Sequence, residues 1–206
     1  RQPLLNQPDP SYWGIKFGEA VPKVLGAPIA YIVRARFVLL RDLGSAISPT
    51  NSFNILQGLE TLPLRYRVQQ QNADKVANFL NSRNEVSRVI YPGIENKENR
   101  LKTARYLKTG FGPLVGFELK GGKEAGEQFI NNLKLIYHVA NIGDTRTLAI
   151  HPASTTHSQL SSDDQLKTGV TQGYVRLSLG IEHIEDIIED LNQSLNKIKE
   201  NTKKVA

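Results

Sequence analysis

Apolar and polar positions change period several times along the chain, and each change marks an element. Residues 1–28 hold Pro3, Pro8, Pro10, Pro22 and Pro28 among Gly14, Gly18 and Gly26, which predicts an extended, turn-rich lead-in. Ile29, Val33, Phe37 and Leu40 then recur at helical spacing, predicting a helix over 30–43 with Gly44 as its stop. Ser48-Pro-Thr-Asn-Ser52 punctuates, and a second helix is expected from about Phe53. Pro63 should end or kink it, and the pattern resumes with Leu64, Val68, Val76, Phe79 and Leu80. Strands are predicted over 86–91, 114–119 and 137–140, with a charged surface helix at 94–109. A further helix over 124–133 turns Ala125, Phe129, Ile130 and Leu133 inward. The last helix has the clearest stripe, Ile184, Ile187, Ile188, Leu191, Leu195 and Ile198, opened by acids and closed by lysines as the helix dipole favours.

Two segments near the C-terminal end combine strand pattern with reactive side chains. Residues 147–150 read as a strand running into His151-Pro-Ala-Ser-Thr-Thr-His157. Ser162-Asp-Asp-Gln165 has capping-box spacing and Gly169 is a stop, which places a short helix before the next strand, 174–179. In that strand side chains alternate, so Val175, Leu177 and Leu179 share one face and Tyr174, Arg176 and Ser178 the other. Arg176 is either a solvent-facing strand arginine or a rigid fork aimed at a carboxylate or phosphate. Intermixed strands and helices without repeats predict an α+β layer structure, helices over a small, mostly antiparallel sheet.

Composition narrows the chemistry. The 206 residues are 39% hydrophobic and 22% charged, as in a globular chain with a sizeable core. With no cysteine there is no disulfide framework, thiolate site or cysteine nucleophile. The net charge of +6 would invite a nucleic-acid reading, but its only dense cluster is the tail, 197–204, and no recognition motif accompanies it. The most apolar stretch, 29–43, carries Arg34, Arg36, Arg41 and Asp42, so no membrane span is expected. The chain begins at Arg1 and contains no methionine, the pattern expected of a piece of a longer protein.

None of the four histidines pairs at metal-ligand spacing, so no metal site is expected. Ser154, His157 and Asp144 lack the elbow motif of a hydrolase. Ser194-Leu-Asn-Lys197 has the spacing of some acyl enzymes but is expected on the solvent side of the last helix, as an accident. Asn141 reads as a turn residue before Gly143, and Arg146 as a surface residue.

Five motifs in order carry a resemblance: Leu39-Leu-Arg-Asp-Leu-Gly44, Gln57-Gly-Leu-Glu-Thr-Leu62, Asn141-Ile-Gly-Asp144, His151-Pro-Ala-Ser-Thr-Thr-His157 and Val175-Arg-Leu-Ser-Leu-Gly-Ile-Glu-His183. From Pro8-Asp-Pro-Ser-Tyr12 onward the chain resembles the C-terminal part of the Cys/Met-metabolism pyridoxal-phosphate enzymes, in the O-acetylhomoserine sulfhydrylase branch. The resemblance implies the small C-terminal domain of a fold-type I transferase over 49–206, preceded by a lead-in and interdomain helix over 1–48. It also implies replacement of acetate on O-acetylhomoserine by sulfide or a thiol, in a cytoplasmic homotetramer without nucleic-acid or membrane partners. Arg176 is assigned to the substrate α-carboxylate, Asn141 to the same group and Thr156 to its neighbourhood. The cofactor, pyridoxal 5'-phosphate, falls to the N-terminal part, with its Schiff-base lysine, phosphate loop and pyridine-nitrogen partner, so no cofactor-binding or catalytic residue is expected in this chain. Cystathionine γ-synthase, methionine γ-lyase and a non-catalytic domain of the same fold remain alternatives. Asparagine rather than serine at 141 favours the sulfhydrylase branch, whereas Trp13 stands where the family usually has histidine.

Overall fold

The computed structural model describes residues 2–94 and 97–205, those of 97–100 and 199–205 by their backbone alone. Arg1, residues 95 and 96 of the predicted charged helix, and the side chains from Lys199 onward, where the basic tail was expected, lie outside the described residues. The chain divides into two compact units, Arg1–Leu59 and Glu60–Ala206.

The first unit is helical, which corrects the expectation of an extended lead-in. Helix α1 spans Pro3–Asn6, a 3-10 turn Pro10–Tyr12, and α2 Phe17–Leu25. Pro22 sits inside α2 and forfeits a backbone bond. The helix forms because Phe17 and Val21 are buried with Ala30 and Val38, against Leu5, Tyr12 and Val33. Gly26 closes it in the left-handed region, φ 67°, with its N–H on the Pro22 carbonyl. The predicted helix over 30–43 is present but not uniform: α3 (Ala30–Arg34) widens into π turns over Ala35–Leu40 before α4 (Arg41–Leu43). The wider turns shift the helical phase. Val38 points inward, whereas Phe37, on the predicted face with Ile29, Val33 and Leu40, is 57% exposed. Gly44 ends the segment at φ 68°, as predicted. Helix α5, Pro49–Glu60, starts four residues before the expected Phe53. Pro49 occupies the first helical position, where it suits the geometry, and Ser48 Oγ accepts the Asn51 N–H at 3.1 Å.

The second unit is a five-stranded sheet under three helices. After α6, Leu62–Asn81, the strands are β1 (Val86–Ile90), β2 (Leu114–Leu119), β3 (Tyr137–His138), β4 (Leu148–Ile150) and β5 (Tyr174–Ser178). Helix α7, Lys97–Tyr106, lies between β1 and β2, α8, Gly122–Asn132, between β2 and β3, α9, Ser162–Lys167, between β4 and β5, and α10, Ile184–Val205, ends the chain. Pro63 breaks the run at Thr61 and then serves as an early residue of α6. Strand order is β1-β2-β5-β4-β3, antiparallel except for the β3–β4 pair. Val115, Phe117, Val175, Leu177 and Leu179 pack with Val76 and Leu80 of α6, Phe129 of α8 and Ile187, Leu191 and Leu195 of α10 in one buried cluster.

Two local expectations are corrected. The cap of α9 is Ser161, one residue before the predicted box, and its Oγ accepts the Asp164 N–H. Ser194 does not face solvent: it is fully buried and donates to the Phe129 carbonyl at 2.7 Å, fastening α10 to α8. No described helix is long and apolar enough to cross a membrane.

Candidate functional site

Strand β5 lies between β2 and β4, and its register sets Arg176 opposite Gly116 on one side and Ile150 on the other. Gly116 is required by crowding, since a Cβ there would meet the Tyr174 ring at 2.8 Å. Burial pushes the Tyr174 phenol pKa up, with Arg176 opposing the shift, so the phenol stays protonated beside the guanidinium. Arg176 is half-buried. One Nη2 proton goes to the Asn141 carbonyl at 3.4 Å, while the Nε is buried and has no hydrogen-bond partner among the described residues. A buried N–H without an acceptor is costly, and a bound anion would satisfy it.

Asn141 starts a loop, residues 141–147, that is pinned at almost every step. Its own Oδ1 accepts the Ile142 N–H at 2.9 Å, the local bond that makes asparagine a turn residue. The Gly143 N–H donates to Ser178 Oγ at 3.0 Å, and Gln69 Nε2 of α6 donates to the Asp144 carbonyl at 2.7 Å. Thr147 gives both its N–H and its hydroxyl to the Glu182 carboxylate. Arg146 stays at the surface, pairing with Asp144 at 3.3 Å and lying 4.8 Å over the Tyr137 ring. Its N–H and guanidinium bonds hold the Asp144 pKa below the usual carboxylate range.

The hydroxyl-rich loop after β4 is a separate construction. His151 is fully buried, with Nε2 on the Gln172 carbonyl and Nδ1 on Ser154 Oγ, both at 2.8 Å. Burial lowers its pKa, which keeps the ring neutral. Gly126 of α8 permits this placement, because a Cβ there would meet His151 Nε2 at 2.3 Å. Gln165 of α9 donates to the Ala153 and His157 carbonyls and accepts from Gln172. Thr156 is exposed, and its hydroxyl pairs with His157 Nδ1 at 2.9 Å. The structure therefore brings Asn141 and Arg176 together, whereas no hydrogen bond among the described residues joins Thr156 to either.

Ser154 meets His151 rather than His157, and Asp144 is engaged by Arg146, so no hydrolase triad forms from Ser154, His157 and Asp144. Among the described residues no three histidine, aspartate or glutamate side chains gather in a group that could hold a metal ion. Sequence reading missed Gln69, Thr147 and Glu182, which hold the Asn141 loop, and Asn72, which holds the turn at Gly180 and Glu182. Their signal was present as Gln69 and Asn72, polar residues three apart on the helix face that buries Ala73 and Val76.

Comparison with known proteins follows the same outline. The family model described as "Cys/Met metabolism PLP-dependent enzyme" matches residues 24–196. O-acetyl-L-homoserine sulfhydrylase of Leptospira meyeri is 50% identical over 196 residues, 93% of this chain and 44% of that protein. A solved structure of an O-acetylhomoserine (thiol)-lyase from Campylobacter jejuni, with N'-pyridoxyl-lysine-5'-monophosphate, superposes with a TM-score of 0.79 at 41% identity, over 94% of this chain and 45% of that one. Cystathionine γ-synthase from Xanthomonas oryzae, solved with aminoacrylate and cysteine, gives a TM-score of 0.70 at 36% identity, over 77% and 41%. The chain thus spans less than half the length of the relatives it matches.

Proposed function

The chain belongs to the Cys/Met metabolism PLP-dependent enzymes, and from that premise we propose that it is the C-terminal part of an O-acetylhomoserine sulfhydrylase that grips the substrate's α-carboxylate. Residues 1–48 would then be the lead-in and interdomain helix, and 49–206 the C-terminal domain. The observation that carries the reading is the buried, unpartnered Nε of Arg176 beside an Nη2 already oriented by the Asn141 carbonyl. A guanidinium fixed in this way offers a carboxylate two N–H groups in one plane. Asn141 supports it through its backbone, and its side chain, with Oδ1 occupied by Ile142, offers the amide N–H2. Thr156 is assigned to the rim of the same substrate space.

When bound, pyridoxal phosphate supplies the electron sink that lets the amino acid lose its α-proton and then acetate from the γ-carbon. Addition of sulfide there completes the balance: O-acetylhomoserine and sulfide give homocysteine and acetate, and methanethiol in place of sulfide gives methionine. The part played by this chain is orientation, since a two-point hold on the carboxylate fixes how the reacting bonds stand. The cofactor's covalent anchor is assigned to the part of the enzyme outside this chain, a reading supported by the exposure of every lysine whose side chain is described. Residues 1–206 alone, mixed with pyridoxal phosphate and borohydride, are accordingly expected to give no stoichiometric cofactor–lysine bond on a defined residue. Mass spectrometry of the peptides checks this.

For the complete enzyme the test is substrate choice. Homocysteine formation from O-acetylhomoserine and sulfide is expected to exceed both cystathionine formation with cysteine and breakdown of methionine; a dominant rate in either of those would reassign the enzyme to one of its neighbours. A cytoplasmic homotetramer is part of the same proposal. The apolar surface of the first unit, where Tyr31, Ile32, Phe37, Leu39 and Leu43 are exposed, supports burial against another part of that assembly.

A further inference from the structure

A polar clamp fastens the loop before β4 to the turn after β5. Thr147 is fully buried. It donates its N–H to Oε1 of Glu182 at 2.6 Å and its hydroxyl to Oε2 at 2.7 Å. The same hydroxyl accepts the Gly180 N–H at 2.9 Å. Asn72 of α6 donates to the Gly180 and Glu182 carbonyls, each at 3.0 Å. The Ile181 N–H reaches the Thr145 carbonyl at 2.8 Å. The turn and the loop come so close that a Cβ on Gly180 would meet the Thr145 carbonyl at 2.4 Å.

Both oxygens of one carboxylate are thus committed to one residue at the end of the loop whose first residue orients Arg176. Between them the Gly143 N–H is held by Ser178 and the Asp144 carbonyl by Gln69, so the loop has no slack. Thr147 is thus the fixed far end of the loop whose first carbonyl meets the guanidinium. Charge-assisted bonds of this kind are the strong ones, and they set direction as well as distance.

We infer that Glu182 is a positioning residue for substrate recognition: by fixing the register of loop 141–147 it aims the Arg176 fork at the α-carboxylate in one orientation. The inference rests on the carboxylate reading of Arg176 given above. Glu182 touches neither the reacting atoms nor the carboxylate.

The test uses the complete, cofactor-loaded enzyme. In Glu182→Gln the new N–H2 faces a hydroxyl that already accepts from Gly180, so the Thr147 proton loses its acceptor. kcat/KM for O-acetylhomoserine is expected to fall about tenfold, the scale of a small misorientation. The preference for O-acetylhomoserine over its α-carboxamide should fall by a similar factor. Binding of norleucine, an unreactive amino acid, followed by the cofactor's absorbance, should weaken in parallel. Thr147→Ser keeps the hydroxyl and should behave as the parent, while Thr147→Val should copy Glu182→Gln. If Glu182→Gln fails to fold, the contrast between the two Thr147 variants decides. A retained acid-over-amide preference in Glu182→Gln and Thr147→Val, with that preference lost in Arg176→Ala, makes Glu182 a strut only and overturns the inference. Should Arg176→Ala itself keep the preference, the carboxylate reading falls and takes the inference with it.

Discussion

Arg176→Ala in the complete enzyme is expected to lower kcat/KM for O-acetylhomoserine by at least about tenfold to a hundredfold. The guanidinium is half-buried, one arm is set by the Asn141 carbonyl, and the Nε waits without a partner. Hydrogen bonds to charged groups contribute roughly 1.5–3 kcal/mol each, and loss of alignment in the reacting amino acid adds to that. Arg176→Lys should recover only part, because a point charge cannot reproduce a planar two-bond fork. The cofactor's absorbance should be unchanged, since the arginine is not asked to hold ring or phosphate. Arg146→Ala is the contrast: its guanidinium pairs with Asp144 at the surface, where an exposed ion pair contributes little, and the variant should be near neutral. Near-parental kcat/KM in Arg176→Ala would mean that the arginine is an ordinary strand residue.

What the sequence made legible was local. The alternation in β5 correctly separated Val175, Leu177 and Leu179, all fully buried, from the face that carries Arg176. The stripe on the last helix named Ile187, Leu191, Leu195 and Ile198, all of them core. Periodicity failed where a distant partner decides. Ser178 lies on the polar face of β5 yet is buried, because the Gly143 backbone, 35 residues away, needs its hydroxyl. Ser194 looked like a solvent-side residue and is sealed against α8. Pro22 argued against α2, but a helix was the way to bury Phe17 and Val21 together. The π turns over Ala35–Leu40 bring Val38 into the small core, off the face of Ile29, Val33, Phe37 and Leu40 that spacing at 3.6 residues per turn singles out. In the candidate site, the motif strings marked Asn141 and Arg176. The clamp behind them joins residues 33 to 110 apart, and no spacing rule connects Asn72 with Glu182.

Asp190→Ala is expected to remove about 3–5 kcal/mol of stability, the largest loss from a single truncation outside the apolar core. Asp190 is 5% exposed on α10. Its carboxylate accepts three successive backbone N–H groups, from Lys134 at 2.9 Å, Leu135 at 2.9 Å and Ile136 at 3.0 Å, and Gln193 Nε2 at 3.0 Å. These donors lie in the link from α8 to β3, which lacks a helix or strand partner for them, so one side chain replaces a stretch of secondary structure. Water can reach the exposed Lys134 after truncation but not the buried Ile136, which is why the cost stays below the sum of the separate bonds. Asp190→Asn should fall between, because its Oδ1 still accepts while its N–H2 faces donors. At roughly 2–4 °C per kcal/mol for a chain of this size, the melting temperature of Asp190→Ala should drop by about 6–20 °C. Amide hydrogen exchange should locate the damage at residues 134–136. Below the transition kcat/KM should be unaffected, the reverse of Arg176→Ala, because the carboxylate holds α10 to the edge of the sheet and has no bond to the loop that aims the arginine. A shift under 1 °C, with 134–136 still protected, would show that other bonds carry that link.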